Sequence, residues 1–223
     1  MKKKLIHFEE NLTFSHLFQL SYHELRAGFH LQGNWHSEYF KNTHPITLEL
    51  GCGKGEYTTG LACQYPERNY IGIDVKGARL WRGCKTVQEA GLDNVAFIRS
   101  RADFVEYIFG RDEIDEIWIT FPDPQLKRGY EQKRLTSPQF LKRYQKILRP
   151  GGKIHLKTDD DTLYDYSCNV VQESGLPLIA NTHDLYSSQL LENIPNFTTY
   201  YEESHLKNQK TIKYLCFELT RID

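Results

Sequence analysis

The chain is short of several things, and each shortage excludes something. No run approaches 18 apolar residues, so nothing in it reads as a membrane-spanning helix. Met1-Lys2-Lys3-Lys4-Leu5 is basic, but no apolar segment of the signal-peptide kind follows it, so a cytoplasmic protein that meets no membrane is expected. The five cysteines, at 52, 63, 84, 168 and 216, contain no C-x-x-C pair and are odd in number. That argues against a zinc ribbon or a disulfide framework and for a reducing compartment. Six histidines precede residue 45 (His7, His16, His23, His30, His36 and His44) without any familiar metal-ligand spacing, so no metal is expected. Repeats and low-complexity linkers are also missing. The formal net charge is only −1, so overall charge says nothing about a polyanionic partner, and any such argument must come from distribution.

What is present suits one α/β domain. The 223 residues are 39% hydrophobic, enough for a packed core and too many for a disordered chain. Residues 1–44 are mixed and aromatic; the reading is an N-terminal extension of one or two short helices, not an independent domain. From 45 to 223 the pattern becomes regular. Strands are expected at 46–50, 69–74, 95–99, 114–120 and 153–157, with helices at 56–65, 76–90, 102–109, 138–148 and 160–173. Such alternation implies βαβ units and a doubly wound, mostly parallel sheet. Residues 211–219 (TIKYLCFEL) alternate like an antiparallel strand closing one edge.

Glu49-Leu-Gly51-Cys-Gly53-Lys-Gly55 follows the first predicted strand directly, where ligands bind in a doubly wound sheet. Glycines there let the backbone approach a nucleotide-like cofactor, although turns use glycine anyway. Asp74 ends the next strand, where a carboxylate can take both ribose hydroxyls of NAD or of S-adenosylmethionine. The G-x-G-x-G spacing is not the dinucleotide fingerprint, and Glu49 would repel a pyrophosphate but suits the ammonium of methionine. Asp103 falls where an adenine amino group is held, or caps the short helix after it.

The fourth strand runs into Phe121-Pro122-Asp123-Pro124, with Asp123 held between two prolines. Residues 125–157 then carry ten Lys or Arg and one acid, Glu131. A basic block beside a cofactor crevice suits a phosphate backbone, with Tyr130 and Tyr144 able to stack on bases; the plain alternative is a solvated helix face. After the fifth strand, Thr158 or Asp159 can cap the next helix.

On these motifs the chain resembles the tRNA (guanine-N7)-methyltransferases of the bacterial single-subunit type, class I enzymes dependent on S-adenosylmethionine. The resemblance covers about residues 45–219. It rests on the Glu49–Gly55 loop, Tyr70-Ile-Gly-Ile-Asp74, Asp123-Pro-Gln-Leu-Lys127 with Lys133-Arg134-Leu135, Lys157-Thr-Asp159, and Thr199-Tyr-Tyr-Glu202. Gln125 and Leu126 stand where the family has Trp and Pro, and Lys127-Arg128-Gly129-Tyr130 lacks the family's usual histidine. The resemblance implies a seven-stranded sheet and methylation of a tRNA guanine, the one at tRNA position 46 in the variable loop. It also implies cofactor contacts from Glu49, Gly51, Gly53, Asp74, Asp103 and Asp123, with Asp123 catalytic. Guanosine would meet Lys127, Asp159, Thr199, Tyr200, Tyr201 and Glu202, and the RNA backbone Arg128, Lys133 and Arg134. A monomer and a homodimer both fit. The rival readings are the same fold acting on another RNA, a protein or a small molecule; an RNA-binding subunit with a vestigial pocket; and, more distantly, a nicotinamide dehydrogenase.

Overall fold

The computed structural model describes residues 2–220. Helix α1 (Lys2–Glu10) opens the chain, and strand β1 (Leu17–Gln19) follows, then α2 (Tyr22–Ala27) and a six-residue π-helical turn, Trp35–Phe40. The next strands, β2 (Ile46–Leu50), β3 (Asn69–Asp74) and β4 (Val95–Arg99), alternate with α3 (Glu56–Gln64) and α4 (Gly77–Ala90). Short α5 (Val105–Ile108), strand β5 (Ile114–Thr120), α6 (Pro138–Tyr144), β6 (Leu148–Thr158) and α7 (Asp161–Glu173) complete the expected series. The chain ends with β7 (Leu178–Thr182), α8 (Tyr200–Lys207) and β8 (Lys213–Glu218).

All eight strands join one sheet in the order β1-β4-β3-β2-β5-β6-β8-β7. The sheet is parallel except for β8, which runs antiparallel to both β6 and β7. Helices pack their apolar faces on both sides of the sheet, so β2 and β3 are buried along their whole length, as central strands of a parallel sheet should be. The order reverses between β2 and β5, and the loops leaving those two strands diverge there to open a crevice.

The architecture matches the expected class, with one strand more than seven, and three details differ. The N-terminal segment is not only helical: β1 adds itself in parallel to the edge of β4. Strand β8 does not close an edge; it is inserted between β6 and β7. Strand β6 starts at Leu148, five residues before the expected Lys153, because Pro150-Gly151-Gly152 is carried as an irregularity in the pairing with β5 and not as a stop.

Glu113 fastens the N-terminal segment to this frame. Its carboxylate accepts from the backbone N–H of Gly33 (2.9 Å), Trp35 (2.9 Å) and Gly110 (2.7 Å), while the Trp35 ring is fully buried. Replacing Glu113 with Ala orphans three amides at once, each worth about 1–3 kcal/mol when buried without a partner. We expect Glu113→Ala to lower unfolding stability by about 3 kcal/mol in a urea titration.

Candidate active site

Gly51 and Gly53, in the turn from β2 to α3, have φ of +77° and +58°, the left-handed region that favours glycine. A Cβ built on either would meet nothing within 4 Å, so the backbone faces open space that a ligand can enter closely. The turn is stitched to β3 by Gly51 N and Cys52 N, which donate to the Ile73 carbonyl at 2.8 and 3.0 Å. Asp74, ending β3, braces it further. One carboxylate oxygen accepts from Gly53 N (2.9 Å) and the other from Lys76 N (2.7 Å). Each oxygen keeps a lone pair for a ligand hydroxyl.

Glu49 is buried at 4% exposure. It accepts from the Thr58 amide (3.0 Å), the Thr58 hydroxyl and the Thr120 hydroxyl (2.5 Å). Burial pushes its pKa up, and these hydrogen bonds oppose the rise. Glu49, Gly51, Gly53, Tyr57, Thr120 and Phe121 line a cavity of ≈ 480 Å³ closed on its other side by Thr199, Tyr200 and Tyr201. A larger cavity of ≈ 890 Å³ shares Gly51, Arg79 and Phe121 with it and is walled by Asp74, Asp103, Asp123, Gln125 and Lys133. The acidic strand ends and Lys133 of the basic loop therefore line a cleft of two adjoining cavities that share a wall. Asp103 does not cap its helix. Arg101 holds the cap position, and its guanidinium pairs with Asp103 at 2.9 Å.

The Phe121–Gln125 corner is locally strained. Phe121 and Gln125 have φ of +47° and +50°, on either side of Pro122-Asp123-Pro124. Asp123 accepts from Gln125 N at 2.9 Å, and Phe121 N donates to the Lys157 carbonyl at 2.8 Å.

The basic run does not form one patch. Lys127 and Arg128 are exposed, with no ion pair among the described residues, and Lys133 lies 3.7 Å over the Tyr130 ring at the cleft mouth. Arg134, expected on the RNA surface, is instead buried at 6% exposure. Its Nε donates to the Pro124 carbonyl (3.0 Å) and its guanidinium stacks over Tyr166, so it pins the proline corner from within. Tyr144 is fully buried with its hydroxyl on the Leu135 carbonyl, so it cannot stack on a base. Lys146 pairs with Glu106 and Arg149 with Asp115, at the opposite, amino-terminal rim of the sheet. The cleft draws other cations from separate segments: Lys54, Lys76, Arg79 and Arg101 all line it, and no local pattern singles them out.

The remaining expected residues divide. Thr199 is the N-cap of α8 in a reciprocal capping box with Glu202. Tyr200 and Tyr201 are exposed and face the smaller cavity, and the Tyr201 ring lies 5.2 Å from Phe121. Asp159 lines neither cavity; Lys210 holds its Oδ2 at 3.2 Å, and His205 Nδ1 lies 3.4 Å from the same oxygen without a hydrogen bond to it. Glu202 is fully buried against Lys157. Burial pushes the Lys157 ammonium down in pKa, and Glu202 opposes this.

Strand order, glycine turn and carboxylate-lined switch-point cleft define a Rossmann-like methyltransferase of class I. A family model described as "Putative methyltransferase" matches residues 43–215. The chain belongs to the tRNA (guanine-N(7)-)-methyltransferase family. It is 46% identical over 98% of its length to 98% of such an enzyme from Christiangramia forsetii. It is 49% identical over 95% of its length to 87% of another from Porphyromonas gingivalis. Among solved structures, the 16S rRNA methyltransferase KamB aligns with a TM-score of 0.61 over 91% of this chain and 95% of that one. At 17% identity it shows the fold alone.

Asp74→Asn replaces one acceptor with a donor that faces a backbone N–H. We expect S-adenosylhomocysteine affinity, read by titration calorimetry, to fall at least about tenfold, the scale of a hydrogen bond to a charged group.

Proposed function

We propose that the cleft methylates N7 of a guanine in tRNA, with S-adenosylmethionine as the methyl donor. The observation that carries this reading is the meeting of the two cavities at Gly51 and Phe121, which sets the acidic strand ends beside Asp123 and Lys133. The residues present fit the donor: open space over Gly51 and Gly53 admits it, and the free lone pairs of Asp74 suit ribose hydroxyls. Asp103 stands at the adenine end, and Glu49 gives its end of the cleft a negative field for an ammonium group. Bound there, S-adenosylmethionine supplies an electrophilic methyl group.

The residues of this chain then have two tasks. Guanine N7 carries an exposed lone pair, so no proton must leave before it reacts and no strong general base is required. Alignment is the first task, and the strained, proline-bounded corner at Phe121–Gln125 serves it by holding Asp123 fixed. Electrostatics is the second. Asp123 accepts hydrogen bonds from the N–H edge of guanine and favours the base as it becomes cationic, worth about 3–4 kcal/mol by comparison with oxyanion-hole groups. Lys127, Arg128 and Lys133 hold phosphate and stay clear of that base. For Asp159, Oδ1 is the oxygen left to serve the same edge of guanine, because Lys210 holds Oδ2. The target guanine reaches the cleft through local opening of the RNA.

The test is methylation of total tRNA lacking the modification, followed by borohydride–aniline cleavage; a cut at a single guanine supports the reading, and transfer to protein or to nuclease-treated RNA refutes it. In the same assay Asp123→Ala should lose methyl transfer while S-adenosylhomocysteine binding persists; equal loss of both would make Asp123 a cofactor ligand only. Changing Lys127, Arg128 and Lys133 together to Gln should reduce the slope of log affinity against log salt by about 2. The buried Arg134 contributes nothing to that slope.

A further inference from the structure

Two opposite charges lie in this protein out of reach of water. Lys157, at the carboxyl end of β6, and Glu202, in the first turn of α8, each have a side chain 0% exposed, and Nζ stands 2.6 Å from Oε1. Several neighbouring polar groups are aimed at the pair. Lys157 also donates to Asn196 Oδ1 at 2.6 Å, and its ammonium lies 5.2 Å over the Tyr57 ring. The Tyr186 hydroxyl donates to Glu202 Oε1 at 2.9 Å, and Thr199 N donates to Oε2 at 3.4 Å.

Such a pair is a poor device for stability. Desolvating two ions often costs more than their attraction returns, and well-packed apolar residues of similar size hold a fold equally well. What the pair does supply is position. The backbone carbonyl of Lys157 itself anchors the Phe121 corner. Glu202 starts the helix whose first residues, Thr199, Tyr200 and Tyr201, wall the smaller cavity opposite Glu49, Gly51 and Gly53. The ion pair therefore joins the end of β6 to the first turn of α8, beside the hydrogen bond that Tyr200 N donates to Glu56 at 2.8 Å. Both oxygens of Glu202 are occupied inside the protein, so it has no face to offer a base.

We infer that Lys157 and Glu202 are a positioning pair that holds the α8 wall against the cofactor end of the cleft, and that Glu202 does not touch guanine. This rests on the reading of the cleft as an S-adenosylmethionine site. Binding of S-adenosylhomocysteine to the wild-type chain tests that reading by itself, and the ratio of variant to wild type tests the inference.

The experiment uses the full chain without tRNA. The double variant Lys157→Met/Glu202→Leu removes both charges and leaves neither stranded. Its thermal midpoint should fall by no more than about 10 °C, the cost of leaving Thr199 N, the Tyr186 hydroxyl and Asn196 without these partners. Its affinity for S-adenosylhomocysteine should fall about tenfold and kcat with it, while KM for tRNA stays within about twofold. Unchanged affinity and kcat would show that the pair only holds the fold. Unchanged affinity with a raised tRNA KM would put Glu202 on the RNA. Either result overturns the inference. If the double variant does not fold, Tyr186→Phe decides: it takes one hydroxyl from Glu202 and leaves both charges in place. A loss of about threefold in affinity supports the positioning role, and an unchanged affinity overturns it.

Discussion

A carboxylate inside a sheet core is tolerable only when donors surround it, and Glu49 shows how much structure that requirement organises. Its two oxygens draw in an amide and a hydroxyl from the start of α3 and a hydroxyl from the end of β5. The loops leaving β2 and β5 diverge just beyond this point, and Glu49 ties the start of α3 to the end of β5 there. The glycine turn can lie open to a ligand because the residues on both sides of it are tied to one buried anion. Asp74 repeats the device one strand over, holding the same turn from β3. The cleft is thus held open by acids that must stay solvated by protein groups when water is absent.

The parts of this arrangement written in local pattern were legible beforehand. The strands 46–50, 69–74, 95–99 and 114–120 are bounded by apolar runs alternating with helical stretches, and the structure places them as expected. Asp74, Asp103 and Asp123 follow strand ends, and strand ends in a doubly wound sheet share one rim. Two strands escaped for physical reasons. Leu17–Gln19 is three residues long, too short for any period, and Leu178–Thr182 is an edge strand with exposed Leu178 and Ile179, so burial left no alternation in it.

The basic block shows where linear proximity misleads. Ten cations within 33 residues look like one surface, yet the chain there turns from the carboxyl rim of the sheet to the amino rim and back. Lys133 stays at the cleft with Lys127 and Arg128 exposed on the loop before it, Lys146 and Arg149 are carried to the far side by α6, and Lys157 returns inside the core. Arg134 became a packing residue because the two prolines beside Asp123 remove backbone donors, and the Pro124 carbonyl takes its hydrogen bond from a guanidinium. Composition registers charge, but only the path of the chain says which way it faces.

The insertion of β8 between β6 and β7 bears on how the molecule is made. On a ribosome the glycine turn, Asp74 and Asp123 emerge early and can assemble with β2 to β6, whereas β7 has no sheet partner until Lys213–Glu218 has followed it out. Helix α8 lies between those two strands in the chain, and it is tied to the older part of the fold by Tyr200 N on Glu56 and by Glu202 on Lys157. The nascent protein can therefore possess every acidic strand end of its cleft while one wall is still missing, and translation of the last strand is what completes the chamber.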